Sequence, residues 1–209
     1  MPAYFATPNS ARIRAAMRDG LLGAIETPHG THRIDDIPAW VADNGCFGKN
    51  YVGDEQYLAW LSKMQPQAGR CWFAVAPDVV GDAKATLKRS APFLPLIRAL
   101  GYRVALAAQN GLEDLTVPWD DFDVLFIGGD TAWKLGPAAR ALAAEAIARG
   151  KDVHMGRVNS LRRYRYAEAI GCTSVDGTFL AFGPDVNLPE LLSWVGNVRD
   201  QQTLFGGAA

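Results

Sequence analysis

The sequence predicts an α/β fold, a closed (β/α)8 barrel, in a single domain that covers residues 1–209. Eight short apolar runs alternate with segments of helical pattern, and eight such units suggest a barrel near its lower size limit of about 200 residues. The runs are apolar almost throughout, as in a parallel sheet covered by helices. An open, doubly wound sheet is the alternative. Against it, the first run is followed by TPNSARIR, which lacks a glycine-rich phosphate loop.

The predicted elements follow the chain in order. The strands are AYFAT, LLGAIET, AWVADNG, CWFAVAPDV, RVALAAQNG, DVLFIGG, DVHMGRV and TSVDGTFLAF. The helices are SARIRAAMRDG with Ser10 as a possible N-cap, GDEQYLAWLSKM, ATLKRSAPFLPLIRALG, GPAARALAAEAIARG, NSLRRYRYAEAIG and LPELLSWVGNV. The links THRIDDIP and LEDLTVPWDDF are predicted to be loops or single turns. The last strand is expected to continue past Asp176.

Composition excludes several classes of protein. No apolar run approaches the roughly 18 residues of a membrane span, and the first residues lack the pattern of an export signal, so a cytoplasmic location is expected. The cysteines are odd in number and far apart, which predicts reduced thiols and neither disulfides nor a zinc site. The histidines also lack metal-ligand spacing. We therefore expect no metal and no cofactor. These residues are Cys46, Cys71, Cys172, His29, His32 and His154.

Charge gives one local candidate for nucleic-acid binding. The pI near 6.3 and net charge of -1 provide no global attraction for a polyanion. The segment RVNSLRRYRY nevertheless concentrates arginines and tyrosines on one predicted strand end and helix. It is either a solvated helix face or a phosphate-binding surface. Its arginines are Arg157, Arg162, Arg163 and Arg165.

Polar residues and glycines collect where the predicted strands end. In a barrel of this kind the chemistry lies at the carboxyl ends of the strands, and carboxylates there have to be solvated or paired. Each residue also has an ordinary interpretation as a turn, a helix cap or a backbone contact. The candidates are Asp43, Asp78, Gln109, Gly128, Gly129, Met155 and Asp176.

Taken in order, these segments resemble the tRNA-guanine transglycosylases and the related DNA 7-deazaguanine transglycosylases. ADNGCF resembles the Asp-Ser-Gly-Gly-Phe element of that family, and APDVV resembles its base-recognition element. LAAQNG, FIGGD and VHMGRVNS are similar to its Val-Gln-Gly-Gly, Gly-Gly-Leu and Leu-Met-Gly-Val-Gly segments. SVDGT resembles the element that carries the nucleophile. The resemblance runs from about Ala42 to Thr178.

The resemblance implies an enzyme that exchanges guanine in a polynucleotide for a free 7-deazaguanine base. Asp176 would attack C1′ of the nucleotide and form a covalent glycosyl enzyme. Asp43 would take the proton from the incoming base. The implied partners are therefore a polynucleotide and the free base.

The same resemblance implies residues that bind the base. Asp78 would accept hydrogen bonds from the edge of the base. Gln109 and the amides of Gly128 and Gly129 would contact its carbonyl group. Met155 would pack on its face.

This chain also departs from the family pattern. It lacks the cysteine spacing of the zinc-binding insertion in the tRNA enzymes, Asn44 and Cys46 replace Ser and Gly, and the chain is much shorter. A DNA-directed relative is therefore favoured over a tRNA enzyme. The alternatives are a nucleosidase or a small-molecule lyase on the same barrel, or a catalytically silent nucleic-acid-binding barrel.

Overall fold

Eight parallel strands close into a barrel in the computed structural model, which describes residues 1–48 and 50–205, with side chains as far as residue 196. Each strand pairs with the next along the chain, and the last pairs with the first. This confirms the predicted barrel and excludes the open sheet. The strands are β1 (Ala3–Ala6), β2 (Gly23–Glu26), β3 (Trp40–Ala42), β4 (Cys71–Val75), β5 (Val104–Ala108), β6 (Val124–Ile127), β7 (Asp152–Met155) and β8 (Ser174–Asp176).

The α-helices surround the barrel. Ser10 caps the first of them by accepting a hydrogen bond from the amide of Ile13, as predicted. The helices are α1 (Ala11–Arg18), α2 (Asp54–Met64), α3 (Ala83–Ser90), α4 (Phe93–Ala99), α5 (Thr131–Lys134), α6 (Pro137–Ala148), α7 (Leu161–Ala169) and α8 (Pro184–Phe205). The segments Gln65–Arg70, Leu112–Asp114, Trp119–Asp121 and Phe179–Ala181 form 3-10 helices.

The connections between strands differ from the prediction in two places. The segment ATLKRSAPFLPLIRALG is two helices, because Pro92 has no N–H to continue the hydrogen-bond ladder. The short helix α5 after β6 was not expected. The link between β2 and β3 is irregular, and the link between β5 and β6 contains only two 3-10 turns, as predicted.

The last strand ends earlier than predicted. β8 stops at Asp176, and the amide of Thr178 donates to Asn159 Oδ1 (2.7 Å) in place of a neighbouring strand. A Cβ atom at position 177 would overlap Asn159 and the Tyr4 hydroxyl, so Gly177 is needed at this close approach. Asp176 therefore lies at the rim of the barrel, and the prediction that the strand continues past it is wrong.

Side chains alternate between the inside of the barrel and the layer beneath the helices. Phe5, Phe73 and Phe126 belong to the interior of the barrel. On β7, His154 faces this interior and contacts the ring of Phe126, with 4.6 Å between the ring centroids. Its neighbour Met155 lies in the outer layer. This alternation decides which strand residues can reach the mouth of the barrel.

Two predictions from composition concern the whole chain. The three cysteines are free, and Cys71 and Cys172 are buried whereas Cys46 is partly exposed. Among the residues that the structure describes, no helix is both long enough and apolar enough to cross a bilayer.

Candidate active site

A cavity of about 650 Å³ opens at the carboxyl ends of the strands, and all eight strands or the residues directly after them contribute to its lining. Asp43 follows β3, Asp78 follows β4 and Asp176 ends β8, and the three carboxyl groups line this one cavity. The sequence predicted this convergence. Within the described part of the chain, no cluster of three His, Cys, Asp or Glu side chains has the geometry to hold a metal ion.

Asp176 is held by two hydrogen bonds. Its Oδ1 accepts from the amide of Arg157 (3.1 Å), and its Oδ2 lies 2.9 Å from Nε2 of the buried His154. His154 Nδ1 lies 2.8 Å from the Ser174 hydroxyl. An ionised carboxylate only accepts hydrogen bonds, so its bond to His154 requires a proton on Nε2, and in the neutral ring Nδ1 then accepts from the Ser174 hydroxyl. His154 thus fixes the orientation of Asp176 from inside the barrel, a role that the sequence analysis missed.

Asp43 is a carboxyl group that titrates near neutrality. Burial, together with the negative charge of Asp176, raises its pKa to about 7. The amide of Gly45 donates to its Oδ1 (2.7 Å) and opposes this shift. A carboxyl group with such a pKa is able to take up and return a proton at neutral pH.

Asp78 and Gln109 belong to one hydrogen-bond network. The carboxylate of Asp78 accepts from Asn44 Nδ2 at Oδ1 (2.9 Å) and from Gln109 Nε2 at Oδ2 (2.6 Å). Gln109 Oε1 accepts from the amides of Gly81 and Gly129, each at 2.9 Å. These side chains and amides therefore bind one another and fix the loops after β4, β5 and β6.

Four of the residues to which the resemblance assigns base binding line the cavity, and that role stays a prediction: Asp78, Gln109, Gly128 and Gly129. The amide of Gly129 donates to Gln109, and the amide of Gly128 donates to the carbonyl of Ala108 (2.9 Å), so both are occupied within the protein. Both functional atoms of the Gln109 amide are likewise engaged. Met155 is fully buried in the layer under the helices and does not line the cavity, because strand alternation places His154 on the interior face.

We predict that Gln109→Leu lowers the free energy of unfolding by about 3 kcal/mol. The substitution leaves Asp78 Oδ2 and the amides of Gly81 and Gly129 without their partner, and each buried unsatisfied polar group costs about 1–3 kcal/mol. Urea unfolding measures the change, with Gln56→Leu at an exposed position of α2 as the control. Equal stability of the two variants would show that this network contributes little to the fold.

Lys134, at the end of α5, lines the same cavity and was missed by the sequence analysis. Its side chain is almost fully buried, and Nζ donates to the carbonyl of Gly156 (2.7 Å). Burial, assisted by the positive charge of Arg157, lowers its pKa to about 7, although Asp176 opposes the shift. The neutral form of this amine is therefore far more accessible near neutral pH than that of an ordinary lysine. The only feature of the sequence that points to Lys134 as a site residue is its position shortly after β6.

The four candidate arginines divide into two groups. Arg157 lines the cavity, adopts a left-handed backbone conformation (φ 62°) and lies over the ring of Phe47, 4.6 Å from its centroid. Arg163 donates to the carbonyl of Arg157 (3.2 Å). Arg162 and Arg165 are exposed on α7 and do not line the cavity. A phosphate-binding role for this segment stays a prediction.

Glu26 is a further cavity residue that the sequence analysis missed. It is the last residue of β2, is 4% exposed, and has a pKa that burial raises to about 7. His32 Nδ1 lies 3.3 Å from its Oε2. Glu26 could have been found from the sequence, because it is an acidic residue at the end of an apolar strand. The same feature identified Asp43 and Asp176.

Comparison with known proteins shows similarity to solved barrels. No protein-family model matches the chain, and no curated protein matches it. A structure described as native KDPGal has a TM-score of 0.59 at 14% identity, over 98% of this chain and 96% of that one. The BexX/CysO complex of Amycolatopsis orientalis gives 0.59 at 14% identity, over 100% and 93%. An HpcH/HpaI aldolase from Desulfitobacterium hafniense DCB-2 gives 0.51 at 10% identity, over 96% and 93%.

These findings correct the predicted function. The similar structures named above include an aldolase, and none of them is named as a tRNA-guanine transglycosylase, so the prediction of a base-exchange transglycosylase is wrong. The coarser prediction, an enzyme built on a (β/α)8 barrel, agrees with them. The family resemblance itself and the polynucleotide partner are not tested by these similarities and stay predictions.

Proposed function

We propose that this protein is a small-molecule lyase of the aldolase type, which makes or breaks a carbon–carbon bond through a Schiff base on Lys134. The observation that carries the proposal is a buried amine with a pKa near 7 that lines the same cavity as Asp43 and Asp176. A desolvated lysine is the usual amine nucleophile toward a carbonyl carbon. The HpcH/HpaI aldolase supports the proposal, because its name states an aldolase activity and its barrel is similar to this one.

In the first stage the neutral Nζ of Lys134 attacks the carbonyl carbon of the substrate. A carbon–nitrogen bond forms, and the adduct loses its oxygen as water after taking up a proton from an acid in the cavity. The product is an iminium ion. Asp43 is suited to supply the proton, because its raised pKa keeps a large part of the carboxyl group protonated near pH 7.

In the second stage the ionised carboxylate of Asp43 takes the proton from a hydroxyl group on the β carbon, which is the second carbon from the iminium carbon. The bond between the α and β carbons breaks, its electron pair enters the iminium system to form an enamine, and an aldehyde leaves. The protonated Asp43 then returns the proton to the α carbon. Water hydrolyses the resulting iminium ion, which releases the ketone, restores the neutral Lys134 amine and returns the remaining proton to Asp43.

Trapping of the iminium ion tests this proposal. The protein is incubated at pH 7 with sodium cyanoborohydride and one of three ketones, which are acetone, dihydroxyacetone and pyruvate. We expect at least one of them to give a covalent increase in mass, equal to that of the ketone less one oxygen atom, on the peptide that contains Lys134.

The control is Lys151→Met. Lys151 also donates to a backbone carbonyl, that of Phe122 (2.9 Å), but it does not line the cavity. This variant is expected to keep the label, and Lys134→Met is expected to lose it. Labelling confined to other lysines, or equal in both variants, would contradict the proposal.

A further inference from the structure

Two cationic side chains, Lys134 and Arg157, connect the loops after β6 and β7 in a reciprocal way. Nζ of Lys134 donates to the carbonyl of Gly156 (2.7 Å), the residue directly before Arg157. Nη2 of Arg157 donates in return to the carbonyl of Gly129, which lies just before α5. Burial and, after it, the positive charge of Arg157 lower the pKa of Lys134. The amine and the guanidinium group are therefore neighbours at one side of the cavity.

The guanidinium group of Arg157 is held where a ligand reaches it. Arg157 is partly exposed and lines the cavity, and so do the two residues that its guanidinium group contacts, Gly129 and Phe47. The guanidinium carbon lies 4.6 Å from the centroid of the Phe47 ring, and this stacking fixes the plane of the group. Phe47 follows β3, four strands away from β7 in the ring, so the contact lies over the mouth of the barrel.

The backbone of Arg157 adopts a conformation that is unfavourable for a residue with a side chain. Among the described residues, it is the only one other than glycine with a positive φ, which is 62°. Asp176 Oδ1 accepts from its amide (3.1 Å), and Arg163 donates to its carbonyl (3.2 Å), so the turn is held on both sides. Such conformations are kept where the surrounding structure fixes them, and they are frequent at ligand sites.

The positive charge of Arg157 has no close counter-charge within the described part of the chain. Its guanidinium group forms no ion pair with a described carboxylate, and the only described acceptor of its N–H groups is the carbonyl of Gly129. The nearby carboxylates of Asp130 and Asp176 bind backbone amides and other side chains instead. The remaining N–H groups of Arg157 are therefore available to an anionic group of a ligand.

We propose that Arg157 binds a carboxylate group of the substrate, and that the substrate is a 2-oxo acid. Two parallel N–H groups of a guanidinium match the two oxygen atoms of a carboxylate. In a 2-oxo acid the carboxylate is bonded directly to the carbonyl carbon, which fits the neighbouring positions of Arg157 and Lys134. The choice of a carbonyl compound rests on the proposed function, whereas carboxylate binding by Arg157 does not.

Binding of lactate tests the carboxylate subsite apart from any covalent step, because lactate has no ketone group and forms no Schiff base. Lactamide, in which a neutral amide replaces the carboxylate, is the matched control ligand. Saturation-transfer NMR at pH 7 measures both, and we expect lactate to bind more tightly. Arg157→Gln should weaken lactate binding about tenfold or more, because hydrogen bonds between charged groups are lost, and should leave lactamide binding unchanged. Arg162→Gln, exposed on α7 and outside the cavity lining, should bind both ligands like the unmodified protein.

Three results would overturn the subsite. The first is equal binding of lactate and lactamide to the unmodified protein, and the second is equal binding of lactate to this protein and to a folded Arg157→Gln variant. The third is tighter binding of methyl phosphate than of lactate, which would assign Arg157 to a phosphate group. If Arg157→Gln does not fold, Arg157→Lys replaces it and should weaken lactate binding about threefold or more, because Lys lacks the paired N–H groups.

The 2-oxo acid is tested separately from the Schiff base. Lys134→Met should still prefer lactate to lactamide, so failed trapping does not affect the carboxylate subsite. In the trapping experiment, Arg157→Gln should lower the ratio of pyruvate labelling to acetone labelling on Lys134 about tenfold. An unchanged ratio in this variant would contradict the 2-oxo acid and leave the Schiff base on Lys134 standing.

Discussion

Lys134→Met is expected to reduce the exchange of ketone α-protons for deuterium by about 1,000-fold or more. An enamine forms only after the ketone is bound to an amine as an iminium ion, and Met has no amine to form it. Met matches the length and apolar stem of Lys134 and removes only the ammonium group. Proton NMR in deuterated water, with the ketone that labels best, measures the exchange rate.

The control for this experiment is again Lys151→Met, which should exchange α-protons at the rate of the unmodified protein. A Lys134→Met variant that folds and exchanges α-protons at the normal rate would refute the Schiff-base mechanism. Folding of both variants is checked by their urea unfolding curves.

The same variant provides a check that does not depend on activity. The pKa of Lys134 is lowered from 10.5 to about 7 in the folded protein, so the unfolded chain binds more protons between these values. The free energy of unfolding contributed by this residue therefore rises as the pH increases from about 7 to 10. Lys134→Met should lack that part of the rise. Parallel stability curves for the two proteins would mean that Lys134 titrates normally.

The barrel was predictable because its signal is repeated. Eight apolar runs separated by helices leave few arrangements, and the structure has a strand in each of them. The part of the prediction that failed concerns where a single strand ends. The sequence TFLAF has strand composition, yet Gly177 and the side chain of Asn159 end β8 at Asp176. A contact between residues distant in sequence decided that boundary, and such contacts leave no local pattern.

The site residues that could be predicted are those whose position depends only on where a strand ends. Asp43 and Asp176 reach the cavity because they end or follow strands on the interior face. Met155 shows the limit of this reasoning, because the residue at a strand end still alternates in direction and Met155 faces the helices. Lys134 could not be predicted as a site residue, because it lies on helix α5, which the sequence did not indicate. Its lowered pKa results from burial, which exists only in the folded chain.

Asp43→Asn is expected to lower the α-proton exchange rate about 100- to 10,000-fold, the usual contribution of a general acid or base. Asn keeps the size of the side chain and its contact with the amide of Gly45, but it neither takes up nor returns a proton. Trapping of the ketone on Lys134 should be slower in this variant, because Asp43 supplies the proton for the loss of water, but the label should still appear on Lys134 after prolonged incubation. Loss of exchange with retained trapping would separate the proton-transfer role of Asp43 from the covalent role of Lys134.

Stability should change in the opposite direction to activity. The pKa of Asp43 is raised from 3.8 to about 7 in the folded protein, so its contribution to stability is present below about pH 4 and is lost as the pH rises through 7. At pH 8 the ionised Asp43 is therefore unfavourable beside Asp176, and Asp43→Asn should raise the free energy of unfolding. Asp114→Asn, at an exposed position, should leave both stability and exchange unchanged. An Asp43→Asn protein that is less stable at pH 8, or that exchanges α-protons normally, would show that this carboxyl group serves the fold and not the reaction.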